Sequence, residues 1–207
     1  MGLIGLLFND PLTFLLVAIP LLYSIIFHEL AHGWVADKMG DSTARWLGRL
    51  TLNPIKHLDP IGTAMLFIFG FGWAKPVPVN FNNLHPARRG LIFVASAGIV
   101  TNILLAFISQ FLLRFFDLSG MYAINVLLRV MFQLNVMLAA FNLIPIPPLD
   151  GSKILMGFAS RKFQYSMARI EPYGFFIILA ALYLHILDPF IHLIQAIIVG
   201  IISIFLP

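Results

Sequence analysis

Two histidines separated by three residues, in the sequence His28-Glu29-Leu30-Ala31-His32, have the types and spacing that hydrolytic metal chemistry requires. On an α-helix, residues four apart lie on one face, so both imidazoles can bind a single metal ion. Glu29 lies between them and can take a proton from a water molecule that such an ion activates. The spacing predicts a zinc hydrolase site with His28 and His32 as ligands and Glu29 as general base.

The motif lies in a chain of unusually apolar composition. Of the 207 residues, 60% are hydrophobic and 11% are charged, and the mean hydropathy is +0.93. Because soluble domains carry about 25% charged residues, this composition predicts a membrane protein embedded in a lipid bilayer. The net charge of +4 comes from Lys and Arg in the loops between apolar segments. No basic stretch interleaved with aromatic residues is present, which argues against nucleic-acid binding.

Five apolar segments approach the length of about 20 residues that a membrane-spanning helix requires. They cover residues 11–35, 91–116, 121–144, 172–187 and 189–206. A sixth segment, residues 61–73, is shorter and contains three glycines, which predicts a re-entrant or interfacial position. We therefore predict an all-α polytopic membrane protein with about five transmembrane helices. It forms a single domain over residues 1–207, with a core at about 11–157 and a C-terminal helical hairpin at about 172–206.

The distribution of Lys and Arg predicts the orientation of these helices. Three groups of basic residues fall on one side if the first three long segments alternate and residues 61–73 do not cross. These groups are Lys38, Arg45, Arg49 and Lys56; Arg88 and Arg89; and Lys153, Arg161, Lys162 and Arg169. By the positive-inside rule this side is cytoplasmic. The prediction is a multi-pass cell-membrane protein with an extracytoplasmic N-terminus, a cytoplasmic C-terminus and its active site near the cytoplasmic side.

A catalytic zinc ion normally has three protein ligands and one open position, so His28 and His32 need a partner. Asp150 follows the third long segment and lies at a similar predicted depth. Three prolines before it break the helix, and Gly151 after it permits close approach or a positive φ. An Asp-Gly pair in a loop more often forms an Asx turn. The matching depth, together with the motif resemblance described in the next paragraph, favours Asp150 as the third ligand.

Taken together, the motifs of this chain resemble those of the site-2 protease family of intramembrane zinc metalloproteases. The similarity is to its small bacterial and archaeal branch, which lacks PDZ and CBS domains, and it covers about residues 11–157. The matching stretches are His28-Glu29-Leu30-Ala31-His32 and residues 48–54, 59–62, 72–80 and 141–151. The resemblance implies that His28, His32 and Asp150 bind one Zn²⁺ ion and that Glu29 is the general base.

The resemblance also implies that residues 75–81 form an edge strand that holds an unfolded substrate segment. Lys75, Val77 and Val79 would then contact the substrate. Addition of a β-strand suits proteolysis, since a helical substrate hides its amide groups and an extended one exposes them.

Two asparagines in the matching stretches are further candidates. Residues 98–102 correspond to a Gly-Pro-x-x-Asn motif of the family, with Ile99 where the family usually has Pro. Asn102 could stabilise the oxyanion or orient substrate, or it could form an interhelical hydrogen bond. Asn142 could contact substrate or support the turn before Asp150.

The sequence therefore predicts zinc-dependent hydrolysis of peptide bonds in or near transmembrane segments of membrane-protein substrates, single-span proteins in particular. Such a reaction is called regulated intramembrane proteolysis. One alternative is a non-proteolytic zinc-binding membrane protein that binds substrate helices, since the same ligands would serve it. A second alternative is a transporter whose His and Asp residues line a metal path. The absence of inverted repeats argues against that alternative.

Overall fold

The computed structural model describes residues 3–69 and 72–206, and in these ranges the chain forms α-helices and no β-strand. The helices are α1 (Leu3–Asn9), α2 (Pro11–Lys38), α3 (Thr43–Trp46), α4 (Pro60–Phe69), α5 (Ala87–Phe115), α6 (Tyr122–Asn142), α7 (Asp150–Phe158), α8 (Arg161–Ile170), α9 (Gly174–Tyr183) and α10 (Asp188–Phe205). The prediction of an all-α polytopic membrane protein is confirmed.

Within the described ranges, four helices are long and apolar enough to cross a membrane, namely α2, α5, α6 and α10. Their lengths of 18 to 29 residues correspond to about 27 to 44 Å at 1.5 Å per residue. The fifth predicted segment, residues 172–187, contains α9, which has 10 residues. A helix of that length spans about 15 Å, half of the hydrocarbon core. The described ranges therefore contain four candidate spans rather than about five.

Helix α5 lies at the centre of the fold and packs against α2, α6 and α7. It runs antiparallel to α2, since Asn102 lies beside the Ser24 carbonyl and Val94 lies beside His32. Helix α5 continues without interruption through Ile99, where the family usually has proline. This packing brings the histidine motif of α2 against the part of α5 that carries Gly98 and Asn102.

Helix α10 begins at the end of the bundle that carries Asp150. Leu187 shares an apolar cluster with Ile144, which directly follows α6. Helix α10 then runs back along α6, and its Ile198 and Ile202 share an apolar cluster with Val136 and Ala139 of α6. The start of α2 and the end of α10 thus lie on the same side, whereas five crossings would place them on opposite sides.

The predicted re-entrant segment packs beside α1 and the start of α2, where Phe67 lies against Phe14, and returns to the place where it began. Leu58 and Ala74 form an isolated antiparallel bridge. Gly62 is so close to this return that a Cβ there would lie 2.2 Å from the Trp73 carbonyl oxygen. Between them α4 has 10 residues, too few to cross. Residues 70 and 71 of the predicted segment lie outside the described residues.

The predicted edge strand at residues 75–81 is not formed in the described part of the chain. Residues 75–80, which we call the rim segment, have no regular secondary structure, and Phe81–Asn83 is a 3₁₀ helix. Pro76 and Pro78 each lack a backbone N–H and cannot donate to a ladder. The sequence pattern of alternating valine and proline therefore gives a loop with few donors rather than a strand.

Candidate metal centre

The two histidines of α2 and the first residue of α7 bring their side chains together at one point. His28 Nε2 and His32 Nε2 are 3.0 Å apart. Asp150 Oδ2 lies 3.1 Å from each of these nitrogens. All three residues are buried, with exposed fractions of 7 to 8%. We call this group the metal centre, and its members are the ligand candidates that the sequence predicts.

The outer nitrogen of each imidazole is hydrogen-bonded to an oxygen atom. His32 Nδ1 lies 2.7 Å from the backbone carbonyl oxygen of Val94. His28 Nδ1 lies 2.5 Å from Asn102 Oδ1. Since these oxygens only accept hydrogen bonds, both Nδ1 atoms donate, and each neutral ring directs the lone pair of Nε2 toward the metal centre. Outer partners of this kind are what metal-ligating histidines require.

The donor set of the metal centre fits a zinc ion. Asp150 Oδ2 is buried and has no hydrogen-bond donor. When both rings carry their single proton on Nδ1, two imidazole lone pairs and a carboxylate oxygen face one another, an arrangement that a cation stabilises. Tetrahedral zinc with bonds of about 2.0–2.1 Å places its ligands about 3.3 Å apart, close to the observed separations.

Two glycines make room for the ligands. A Cβ on Gly98 of α5 would lie within 2.5 to 2.6 Å of the ring atoms of His28. A Cβ on Gly151 would lie 2.2 Å from the carbonyl oxygen of Leu143, which brings the start of α7 against the end of α6. The close approach predicted for Gly151 is confirmed. Any other residue at these positions would displace a candidate ligand.

Asp150 is the first residue of a helix rather than part of a loop. Leu149 precedes it in an extended conformation (φ −64°, ψ 153°), and the helix then continues to Phe158. A carboxylate in the first turn is favoured by the partial positive charge of the helix N-terminus. Helix α7 packs against α5, so the position of Asp150 depends on the same helix that contacts both histidines.

Glu29 points into the same cavity as the metal centre. Its Oε2 accepts a hydrogen bond of 2.8 Å from the backbone N–H of Val77 in the rim segment. The cavity has a volume of about 750 Å³ and is lined mostly by apolar side chains, including Trp73, Phe81 and Phe175. A carboxylate, three candidate ligands and an apolar cavity therefore share one site.

The residues predicted to contact substrate divide into two groups. Val77, Val79 and Asn142 line the cavity, whereas Lys75 and Asn102 are not among its lining residues. Asn142 donates its side-chain amide to the carbonyl of Leu138 in its own helix, at 3.0 Å. Asn102 is fully buried behind His28. Asn102 forms hydrogen bonds to α2 and α6, and its role toward substrate stays a prediction.

The rim segment is held at both ends by residues that sequence reasoning did not select. At its start, Lys75 donates its backbone N–H to the carbonyl of His57 (2.8 Å) and accepts from Arg49 Nη2 (2.9 Å). At its end, Asn80 donates its backbone N–H to Asp41 Oδ2 (2.7 Å). Arg49 and Asp41 are both buried. The signal that could have found them is a charged residue adjoining an apolar segment.

Few backbone donors of the rim segment remain free. Pro76 and Pro78 have none, and the N–H groups of Lys75, Val77 and Asn80 are already hydrogen-bonded. In the part of the chain that the structure describes, Val79 keeps the one rim N–H without an acceptor. The rim segment therefore offers an adjacent extended segment more hydrogen-bond acceptors than donors.

Comparison with known proteins places the chain in a family. Residues 118–184 match the family model of peptidase family M50. The chain is 44% identical over 170 residues to "Putative zinc metalloprotease YwhC" of Bacillus subtilis, covering 79% of this chain and 78% of that protein. It is 34% identical over 161 residues to "Putative zinc metalloprotease MJ0611" of Methanocaldococcus jannaschii, covering 73% and 77%.

A mycobacterial relative is also named as a zinc metalloprotease. "Putative zinc metalloprotease Rip2" of Mycolicibacterium smegmatis is 32% identical over 176 residues, covering 82% of this chain and 67% of that protein. No solved structure matches the chain at a significant level. The chain belongs to peptidase family M50, the site-2 protease family, and is a multi-pass membrane protein.

Proposed function

We propose that this protein is an intramembrane zinc metalloprotease that cleaves peptide bonds in or near transmembrane segments of membrane proteins. The observation that carries the proposal is the convergence of His28, His32 and Asp150 within 3.1 Å of one another, with Glu29 in the same cavity. The names of the relatives as zinc metalloproteases support the same reaction.

In the proposed mechanism, His28, His32 and Asp150 hold one Zn²⁺ ion. The ion supplies Lewis-acid chemistry, since it activates water and polarises the carbonyl under attack. Glu29 accepts the proton of the attacking water and delivers it to the nitrogen of the leaving amine. The hydrogen bond from Val77 N–H holds Oε2 of Glu29 and leaves the other carboxylate oxygen available for the water.

The proposed substrate is a locally unwound segment of a membrane protein, lying along the rim segment. Rim carbonyls accept its backbone N–H groups, and Val79 N–H donates to one of its carbonyls. The apolar lining of the cavity favours apolar side chains next to the cleaved bond. Arg49 and Asp41 keep the rim segment in place across the mouth of the cavity.

We further propose that the site opens toward the cytoplasm. The basic residues of the loops at this end of the bundle support that orientation by the positive-inside rule. Both the start of α2 and the end of α10 then face the extracytoplasmic side. Water reaches Glu29 from the cytoplasm, because the histidine motif lies near the end of α2.

The test is cleavage of membrane-anchored single-span substrates by the purified protein in liposomes, with and without a zinc chelator. We expect cleavage that the chelator abolishes and that Glu29→Gln abolishes while zinc stays bound. Asp37→Asn is the matched control, because Asp37 lies two turns further along α2 and pairs with Arg45. Zinc-dependent substrate capture without any cleavage would instead identify a non-proteolytic binding protein.

A further inference from the structure

A buried chain of polar side chains lies behind His28, inside the membrane-spanning helices. Ser24 of α2, Asn102 of α5 and Asn135 of α6 each have an exposed fraction of 0%. Asn102 Nδ2 lies 2.8 Å from Asn135 Oδ1, and Asn135 Nδ2 lies 2.8 Å from Ser24 Oγ. Burying a polar group in such apolar surroundings costs free energy unless the group is hydrogen-bonded. The hydrogen bonds among these three side chains therefore favour one specific arrangement.

A backbone carbonyl at one end of this buried chain of side chains sets the direction of its hydrogen bonds. Asn135 Nδ2 also lies 2.8 Å from the carbonyl oxygen of Met131, one turn earlier in α6. A carbonyl oxygen only accepts, so the amide nitrogen of Asn135 must face it and Oδ1 must face Asn102. This contact removes the usual ambiguity between oxygen and nitrogen of an asparagine amide.

The fixed orientation of Asn135 then determines that of Asn102 and of His28. Because Asn135 presents an acceptor, Asn102 must turn its Nδ2 toward it, and a second contact of Nδ2 with the Ser24 carbonyl at 3.5 Å agrees. Asn102 Oδ1 therefore faces His28 Nδ1 and accepts a hydrogen bond from it. The neutral ring is left with the Nε2 lone pair directed at the metal centre.

The two histidines of the metal centre differ in how this tautomer is selected. His32 Nδ1 donates directly to a backbone carbonyl, that of Val94, which cannot rotate. His28 donates to an amide side chain, which presents either an acceptor or a donor depending on how it is turned. His28 therefore needs a further element that orients Asn102, and the buried chain supplies one.

We propose that Asn135 and Ser24 are positioning residues for the metal centre, which orient Asn102 and thereby select the metal-binding tautomer of His28. The proposal rests on the proposed function, since it concerns the same zinc site. Neither residue touches the metal centre itself. Asn135 is the stronger of the two, because Met131 and Ser24 both accept from it and Met131 alone still fixes its orientation.

The first test measures affinity for zinc alone, by competition with a chelator on the purified full chain. We expect Asn135→Leu to lower the affinity by about 10- to 100-fold, the typical cost of losing an outer partner of a metal ligand. Ser24→Ala should have a smaller effect of the same sign. Ser109→Ala is the matched control, since this buried hydroxyl donates only to Leu105 in its own helix (2.7 Å).

The second test separates positioning through Asn102 from a general loss of packing. Asn102→Leu should lower zinc affinity, and adding Asn135→Leu to it should lower affinity no further, because Asn135 acts through Asn102. Additive losses of affinity that follow the losses in melting temperature would overturn the proposal. In that case Asn135 would only join helices.

The third test needs no variant and reads the tautomer directly. In zinc-free wild-type protein at mildly alkaline pH, ¹⁵N NMR of labelled histidine should show the proton of His28 on Nδ1. A proton on Nε2 would overturn the proposal even if every variant failed to fold. Wild-type protein that binds no zinc would instead refute the proposed function, so the two failures are distinguishable.

Discussion

The metal centre and the rim segment meet at Glu29 but are built in different ways. The metal centre takes its ligands from α2 and α7, and its atoms are buried among packed helices. The rim segment has no regular secondary structure and is held by hydrogen bonds to distant loop residues. The comparison indicates that the candidate ligands are held by helix packing, while the proposed substrate surface is held by a few hydrogen bonds that single substitutions can remove.

The largest effect should come from removing a ligand. Asp150→Ala leaves two imidazoles, and we expect loss of stoichiometric zinc and of all measurable cleavage, because three protein ligands are needed. Zinc content by mass spectrometry and cleavage in liposomes measure this. Asp188→Ala is the control, since Asp188 also begins a helix and pairs with His185 (2.6 Å). Full zinc content in Asp150→Ala would remove Asp150 from the metal centre.

Filling the space beside His28 should have the next largest effect. In Gly98→Ala the new Cβ would lie 2.5 Å from the ring, so the imidazole must move. A displacement of about 1 Å can cost about 100-fold in rate, and we expect a loss of that order together with weaker zinc binding. Gly200→Ala is the control, because nothing lies within 4 Å of its Cβ. Wild-type zinc affinity in Gly98→Ala would show that the metal centre is less rigid than the comparison requires.

Loosening the rim segment should affect substrate binding more than chemistry. Arg49→Gln weakens the contact with the Lys75 carbonyl, and we expect kcat/KM to fall by about fivefold, the worth of about 1 kcal/mol. The change should appear mainly in KM, with zinc affinity unchanged. Arg45→Gln is the control, since its side chain is 60% exposed and pairs with Asp37. An equal loss in kcat alone would contradict the separate roles of the two regions.

The smallest effect should be a pH dependence at the other anchor of the rim segment. Burial raises the pKa of Asp41, but hydrogen bonds from Thr43, Asn80 and Asn83 outweigh it and hold the pKa below its ordinary value. Asp41 therefore stabilises the fold fully above its unfolded-state pKa of about 3.9 and loses that contribution as pH falls through the folded-state pKa.

The measurement is the difference in melting temperature between wild type and Asp41→Asn. We expect the difference to be largest near neutral pH and to shrink below about pH 4. A difference that stays constant across this range would show that the charge of Asp41 does not anchor the rim segment.

The parts of the site that depend on local spacing could be predicted from the sequence. His28 and His32 are four residues apart on one helix, and Asp150 was predicted from its matching depth together with the family motif that surrounds it. The structure brings the three together. Membership of the site-2 protease family and the class of polytopic membrane protein were likewise predicted and are confirmed.

The remainder depends on contacts between residues distant in sequence. Segment 172–187 is apolar enough to span, but its helix has only 10 residues and rests against Pro147. The valine and proline alternation of the rim segment does not reveal that Val77 donates to Glu29, 48 residues earlier. Asn135 is a polar residue in an apolar helix, and only the packing of the helices shows that it reaches Asn102.

The most direct test of the metal centre is anomalous X-ray diffraction at the zinc absorption edge, on crystals of the protein grown with zinc. We expect a single anomalous peak between His28 Nε2, His32 Nε2 and Asp150 Oδ2. A peak at any other site, with none among these three atoms, would contradict the account.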